Sequence, residues 1–458
     1  TGDDDANKGE SAFSEEGDAV DDQGSLLPET ARDHLIAREF SHHLPGMARL
    51  NNGSYGSCPR TVLEVQASWS QRWLEQPDKF YFGPLEEGLL VARTEIARLI
   101  HAPVEEVVVL ENVTAAASMI ALDVMWAFAE GRFKQGDSIL MLNCAYGAVK
   151  KAFKAYATRA GANIFEVTVP FPVSSSEQIL QTFEETLVRE KHNNPTQQIR
   201  LAVFDHIVSM PTMILPISKL VKLCHSYGVE QIFIDGAHGI GNLNLDMQEI
   251  GADYYMSNVH KWMFAPSTAA FLHCQPQHLS RLHHPIVSHN YGSGLAAECA
   301  WMGTRDYSAV LSIPAAIQFV KTFAKDIEAY SIYNHKQVVA MAKMLASAWG
   351  THLGTPPELC AAMAMVGLPP SINIHSQVDA LHMRRRLRQE FKLEVYVYYA
   401  GTLNLETGAV TVCDIQLGSQ SDIVAYVRIS HQIYNRPEEY HALRDAILSI
   451  AQEGMLLH

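Results

Sequence analysis

A chain of 458 residues and 50.8 kDa exceeds the size at which one hydrophobic core stops growing, so two lobes are expected. Its composition, 47% hydrophobic and 19% charged, excludes a disordered or collagen-like chain. Lys and Arg number 35 against 50 Asp and Glu, and the formal charge of −15 repels phosphate backbones and anionic bilayers, which argues against nucleic-acid and membrane partners. No run of about 18 apolar residues lacks charges or breakers.

Thr1 to Thr30 carries Asp3, Asp4, Asp5, Glu15, Glu16, Asp21 and Asp22 with few large apolar groups. Such a segment cannot offset its ordering entropy, and residues 1–30 are expected to be a disordered acidic tail. The sequence opens at Thr1, so a removed targeting segment is compatible with it. The expected compartment is the cytoplasm or, after such removal, an organelle stroma or matrix. The cysteines (Cys58, Cys144, Cys224, Cys274, Cys299, Cys360, Cys413) are scattered with no C-x-x-C pair, which fits a reducing compartment and offers no metal site.

Residues 31–60 read as an N-terminal arm containing the extended stretch Met47 to Gly56, and a helical run follows from Thr61 through Trp73. Strand-like apolar runs then recur at Glu106–Leu110, Ser138–Asn143, Leu201–Asp205, Gln231–Asp235 and Tyr254–Met256. Helical patterns alternate with them at Thr114–Glu130, Ala148–Arg159, Ser174–Glu190 and Ile217–Tyr227. That alternation predicts an α/β large domain over residues 61–307, with a parallel sheet covered on both faces. After about Ser308 the pattern becomes a mostly helical stretch, Ala309–Trp349, followed by shorter pieces, and residues 308–458 read as a smaller C-terminal domain.

Ligands of open α/β sheets sit beyond the carboxyl ends of the strands, so the residues following each run are the ones to inspect. The first run passes into Glu111-Asn112-Val113-Thr114-Ala115-Ala116-Ala117-Ser118, small residues opening a helix whose free amides suit a phosphate or simply a cap. The second passes into Asn143-Cys144-Ala145-Tyr146-Gly147-Ala148, where Tyr146 offers a ring to stack on a planar cofactor and a hydroxyl proton, or only packing. Asp235 closes Gln231-Ile232-Phe233-Ile234-Asp235 and precedes Gly236-Ala237-His238-Gly239. A carboxylate there can keep a pyridine nitrogen protonated, whereas alone it reads as a turn residue. Lys261 follows the last run among aromatic and apolar neighbours, and a desolvated lysine amine can form an imine with an aldehyde cofactor.

Together these pieces resemble fold-type-I pyridoxal-phosphate (PLP) enzymes of the aminotransferase class V group, and within it the plant-type L-cysteine desulfhydrases, with isopenicillin N epimerases as further kin. The resemblance runs from about Phe40 to the C-terminus. It includes Arg49-Leu50-Asn51-Asn52-Gly53-Ser54-Tyr55-Gly56, Asp205-His206-Ile207-Val208-Ser209-Met210-Pro211, Asp235-Gly236-Ala237-His238, His260-Lys261-Trp262, Trp301-Met302-Gly303-Thr304-Arg305-Asp306-Tyr307 and Val427-Arg428-Ile429-Ser430-His431-Gln432. It implies a large domain with a mostly parallel seven-stranded sheet, a smaller α+β domain, and a homodimer. It also implies that Lys261 holds the cofactor as a Schiff base, Asp235 pairs with the ring nitrogen, and His238 sits near the ring hydroxyl. Thr114, Ala115, Asn258 and His260 would hold the phosphate, Thr304 would reach it from the partner subunit, and Tyr146 would stack on the ring. Arg428 would grip the substrate carboxylate, for which a guanidinium fork is suited, with Asn51 and Asn52 assisting.

The implied reaction is elimination of the β-thiol of L-cysteine, giving hydrogen sulfide, pyruvate and ammonia, with Tyr146 or His206 protonating the sulfur. Alternatives in the same group are lyases of S-substituted cysteines or their sulfoxides, cysteine desulfurases and amino-acid epimerases. A catalytically silent binding protein is the alternative of another kind. Desulfurase chemistry needs a mobile cysteine, and Cys360 and Cys413 do not sit in a small-residue loop. The Gly- and Thr-rich stretch Tyr398–Ser421 departs most from the family and is read as part of the substrate entrance.

Overall fold

The computed structural model describes residues 26–403, 410–412 and 423–456. Seven strands form one sheet: β1 (Val107–Leu110), β2 (Ser138–Leu142), β3 (Asn163–Val167), β4 (Ile199–Asp205), β5 (Gln231–Asp235), β6 (Tyr254–Asn258) and β7 (Ala270–Cys274), in the order β1-β7-β6-β5-β4-β2-β3. Strand β7 runs antiparallel to β1 and β6, and the other neighbours pair in parallel. This is the mostly parallel α/β sheet that the sequence predicts. Strands β1, β2, β5, β6 and β7 are buried at every residue, as a sheet with both faces covered requires. The edge strand β3, Asn-Ile-Phe-Glu-Val, is half-exposed and lacks a continuous apolar run, so its sequence does not announce it.

The helices that matter for the site are, in chain order, α1 (Glu29–Glu39), α2 (Asn52–Tyr55), α3 (Arg60–Glu75), α4 (Val113–Ala129), α5 (Gly147–Phe153), α6 (Val259–Trp262), α7 (Ile313–Phe323) and α8 (Ile327–Trp349). Helix α1 starts inside the stretch read as acidic tail, and Leu26 already bridges Ala324; residues 1–25 of that tail lie outside the described residues. Helices α4 and α5 follow β1 and β2 directly, which brings their first turns to the carboxyl edge of the sheet.

A second sheet has three antiparallel strands, β8 (Met363–Gly367), β9 (Tyr396–Tyr399) and β10 (Ala425–Ser430), ordered β8-β10-β9. Its apolar cluster holds Val338 and Leu345 of α8 with Val427, Ile429, Tyr440 and Ile447. Ala48 and Leu50 of the arm belong to this cluster too, and Ala48 pairs in parallel with Leu393. The residues of α7 instead join the larger cluster around the first sheet. The change of pattern near Ser308 therefore marks the end of strand–helix alternation, not the end of that core. Most of the stretch Tyr398–Ser421 lies outside the described residues, as does Cys413.

Candidate active site

Strands β4 and β5 end in register, with Asp205 opposite Asp235, and the His206 amide donates to the Asp235 carbonyl at 2.9 Å. Asp235 is 2% exposed. Its Oδ1 accepts from the Ala237 amide at 2.9 Å, while Oδ2 is buried without a hydrogen-bond partner among the described residues. An orphaned carboxylate oxygen costs free energy unless a donor arrives, so this atom marks a place for a ligand N–H. Burial raises the Asp235 carboxyl to about 6, against the pull of the Ala237 amide and Lys261. Burial, and then Asp235 itself, push Asp205 well above the usual carboxylate range, so the pair holds one charge rather than two.

Strand β6 continues into α6 and carries Lys261 to the same crevice. The Lys261 amine lies 3.2 Å from His238 Nε2. Burial lowers it to about 8, with Asp235 opposing that shift and Arg428 adding to it. The short helix is braced from the arm and from the second lobe. The Asn52 side chain donates to the Lys261 carbonyl at 3.0 Å, and Tyr330 Oη donates to the Trp262 carbonyl at 2.6 Å. Gly56 has φ +73°, and a Cβ there would collide with the His260 carbonyl, so only glycine lets the arm approach α6 this closely.

Asn112 caps α4 by accepting from the Ala115 amide at 3.0 Å, and Asn258 Oδ1 accepts from the Val113 amide at 3.1 Å. The Ala115 amide expected to face a phosphate is therefore already used by the cap. Thr114 is exposed on that first turn, and the Asn258 bond ties the turn to the end of β6 beside Lys261. His260 is bound to the Ala269 carbonyl through Nδ1 at 2.9 Å, leaving Nε2 for a ligand, and burial lowers its titration to about 4. Tyr146 is 49% exposed at the start of α5, and its amide donates to the Asp205 carboxyl. His206 is buried with Nδ1 2.9 Å from Tyr255 Oη, and burial drives it down to about 3. Thr304 stands apart, exposed in the loop where Arg305 Nη1 bonds Glu111 at 2.6 Å.

Arg428 sits at the centre of the second sheet, opposite Met365 and Tyr396. Its Nη1 donates to the Ser209 carbonyl at 2.8 Å and hydroxyl at 3.1 Å, and its Nη2 to Asn51 Oδ1 at 2.8 Å and Ser54 Oγ at 2.9 Å. It is 2% exposed, Nε has no partner, and no carboxylate pairs with it among the described residues. Burial lowers it to about 10. A buried cation held only by neutral groups is a place for an anion. Asn51 thus orients Arg428, whereas Asn52 is spent on Lys261 and on Tyr434 Oη at 2.8 Å. The participants that sequence reasoning missed are Asp205, Ser209, Ser54, Tyr255 and Trp262. All but Tyr255 stood in the family motifs, and Asp205 closes a strand just as Asp235 does.

A seven-stranded sheet of this topology with a lysine after β6 and an aspartate closing β5 is the fold of fold-type-I PLP enzymes. A cysteine desulfurase from Thermococcus onnurineus NA1 superposes with a TM-score of 0.68 at 14% identity, covering 92% of this chain and 98% of that one. A cystine C-S lyase superposes at 0.64 with 16% identity, covering 88% and 98%. The aminotransferase class-V family model matches residues 84–385, and the chain belongs to that family. It is similar to an L-cysteine desulfhydrase of Arabidopsis thaliana, 47% identical over 422 residues, which are 92% of this chain and 91% of the relative. An isopenicillin N epimerase of Streptomyces clavuligerus is 28% identical over 89% of this chain and 96% of its own length.

Proposed function

We propose that the chain is a PLP-dependent L-cysteine desulfhydrase, a carbon–sulfur lyase that converts L-cysteine and water to hydrogen sulfide, pyruvate and ammonia. The observation that carries this reading is the crevice where the orphaned Asp235 Oδ2, the lowered Lys261 amine and the Arg428 cation, unpaired among the described residues, converge. Those residues fit the cofactor and an amino-acid substrate, and relatives at 46% and 47% identity bearing the desulfhydrase name support the choice of reaction.

Bound PLP supplies an electron sink for the carbanion formed at the substrate Cα. Asp235 Oδ2 would accept the ring N–H, and Lys261 Nζ would hold the cofactor. As a free amine Lys261 would take the α-proton, a task for which a group titrating near 8 is well matched. Arg428 binds the carboxylate through its fork, oriented by Asn51, Ser54 and Ser209. Thr114, Asn258 and His260 would hold the phosphate, and because His260 Nδ1 already serves the Ala269 carbonyl, Nε2 is the atom it would offer to that anion. Tyr146 donates the proton to the departing sulfur. His206 is the poorer acid of the two, since burial keeps it uncharged and its Nδ1 is taken by Tyr255.

Persulfide transfer is disfavoured by Cys360, which is buried with its thiol pushed up to about 12, the opposite of a ready nucleophile. Among the described residues no helix is long and apolar enough to cross a membrane. We assign the chain to the cytoplasm or to an organelle stroma or matrix, the second supported by a 46% identical Arabidopsis relative named chloroplastic. A homodimer in which Thr304 reaches the partner's phosphate site completes the reading. The deciding experiment is a product assay across L-cysteine, cystine and S-substituted cysteines: sulfide and pyruvate in equal amounts from L-cysteine are expected. Racemised cysteine without sulfide would favour an epimerase instead.

A further inference from the structure

Beside Lys261 lies a contact that the proposed mechanism does not use. Trp262 is fully buried, and its indole Nε1 donates to His238 Nδ1 at 3.2 Å. An indole N–H is a donor only, so the imidazole nitrogen facing it has to be the bare one. His238 is itself buried, and burial, reinforced by Lys261 and Arg428, holds it well below the ordinary histidine range, so the ring is neutral. A neutral imidazole with a bare Nδ1 carries its proton on Nε2, the nitrogen 3.2 Å from the Lys261 amine.

We propose that Trp262 is a positioning residue that fixes the His238 tautomer, so that His238 can only donate, and never accept, at the atom facing Lys261. The consequence is chemical. In the other tautomer Nε2 would accept from a lysine ammonium and stabilise the charged form. With Nε2 protonated, the imidazole favours the free amine, which is the form able to capture an aldehyde and later to remove a proton. On the reading of the site given above, the same N–H is the donor for the phenolic oxygen beside the cofactor aldehyde.

The surroundings anchor the backbone of both residues. Asn242 Nδ2 donates to the His238 carbonyl at 2.8 Å, and Tyr330 Oη donates to the Trp262 carbonyl at 2.6 Å. Gly53 lies flat against the indole, where a Cβ would stand 3.3 Å from Trp262 Cζ2. The spacing of the two adjacent residues also separates their tasks: Lys261 reacts, and Trp262 sets the proton on the group that Lys261 faces.

The test uses the cofactor-free full chain labelled with 15N-histidine, with the His238 signals among those of 21 histidines assigned by their loss in His238→Gln. The wild type is expected to show a bare Nδ1 and a protonated Nε2. Trp262→Phe should mix the tautomers, since losing one neutral buried hydrogen bond moves such an equilibrium by roughly five- to tenfold. The amine of Lys261, followed by the pH dependence of its acylation in the same protein, should titrate higher in that variant. Because Phe also removes volume, replacement by benzothienylalanine, which keeps the ring shape and lacks the N–H, should give the same tautomer mixture. In the His238→Gln background, Trp262→Phe should leave the Lys261 titration unchanged. A wild-type His238 protonated on Nδ1, or a tautomer unaltered by both replacements, overturns the proposal. None of these readouts needs bound cofactor or turnover, so failure of the desulfhydrase reading would leave them standing.

Discussion

Buried charge is handled in opposite ways at two places in this molecule. At the edge of the first sheet, Asp235 and Lys261 each counter the other's burial, and both are moved toward neutral pH, the carboxyl up to about 6 and the amine down to about 8. In the centre of the second sheet, Arg428 has four hydrogen bonds, all to neutral oxygens, and no acidic neighbour among the described residues. The first arrangement is suited to exchanging protons and bonds, because both partners sit near their own titration. The second is suited to holding an anion supplied from outside, because its charge is complete only with a ligand.

The sharpest way to break this contrast is to remove the reacting member. Lys261→Ala is expected to lose covalent cofactor attachment and to lower turnover by roughly 10³-fold or more, checked by absorbance and by sulfide release. Asp235→Asn should retain the covalent attachment and lower turnover by roughly 10²-fold, since the ring nitrogen loses its charged partner; wild-type rates would remove Asp235 from the chemistry.

Arg428 is expected to fail differently. Arg428→Gln should lower kcat/KM for L-cysteine by roughly 10- to 100-fold, chiefly through KM. For cysteamine, which lacks the carboxylate, wild type and variant should be equal. An equal loss on both substrates would mean that Arg428 supports the fold rather than the carboxylate.

A smaller effect follows from titration in the cofactor-free protein. A carboxyl whose folded value is raised to about 6 binds its proton more tightly folded than unfolded. Its burial penalty is absent at low pH and appears as pH rises from the ordinary carboxylate value through 6. The stability of wild type relative to Asp235→Asn should therefore fall across that window, by on the order of 2 kcal/mol, in urea titrations at successive pH values. A difference independent of pH would contradict the raised carboxyl. Smallest of all, Thr304→Ala should leave the fold intact and weaken cofactor retention severalfold, and light scattering on the wild type should give twice the monomer mass. An active monomer would refute the cross-subunit role.

Much of the first region was legible in sequence. The strands ending at Leu110 and Asp235 keep the ends read for them, because strands buried on both faces are written as unbroken apolar runs. Strand β3 escaped notice because an edge strand needs only half of its residues buried. Lys261 and Asp235 were found because each follows such a run. Arg428 was not distinguishable from a strand ion pair until its neighbours were seen, for Asn51, Ser54 and Ser209 come from distant segments. The split between Asn51, which holds Arg428, and Asn52, which holds α6, was equally hidden, since adjacent residues at the start of one short helix carry no mark of which way each turns. Asp205 was passed over for a related reason. A carboxyl at a strand end reads as a turn residue until its register opposite Asp235 is known.

The most direct measurement is to incubate the full chain with pyridoxal phosphate, reduce it with borohydride and map the modified peptide by mass spectrometry. One cofactor per chain is expected, attached as a secondary amine at Lys261 and diminished in Asp235→Ala. Attachment spread over surface lysines, or none at Lys261, would contradict it.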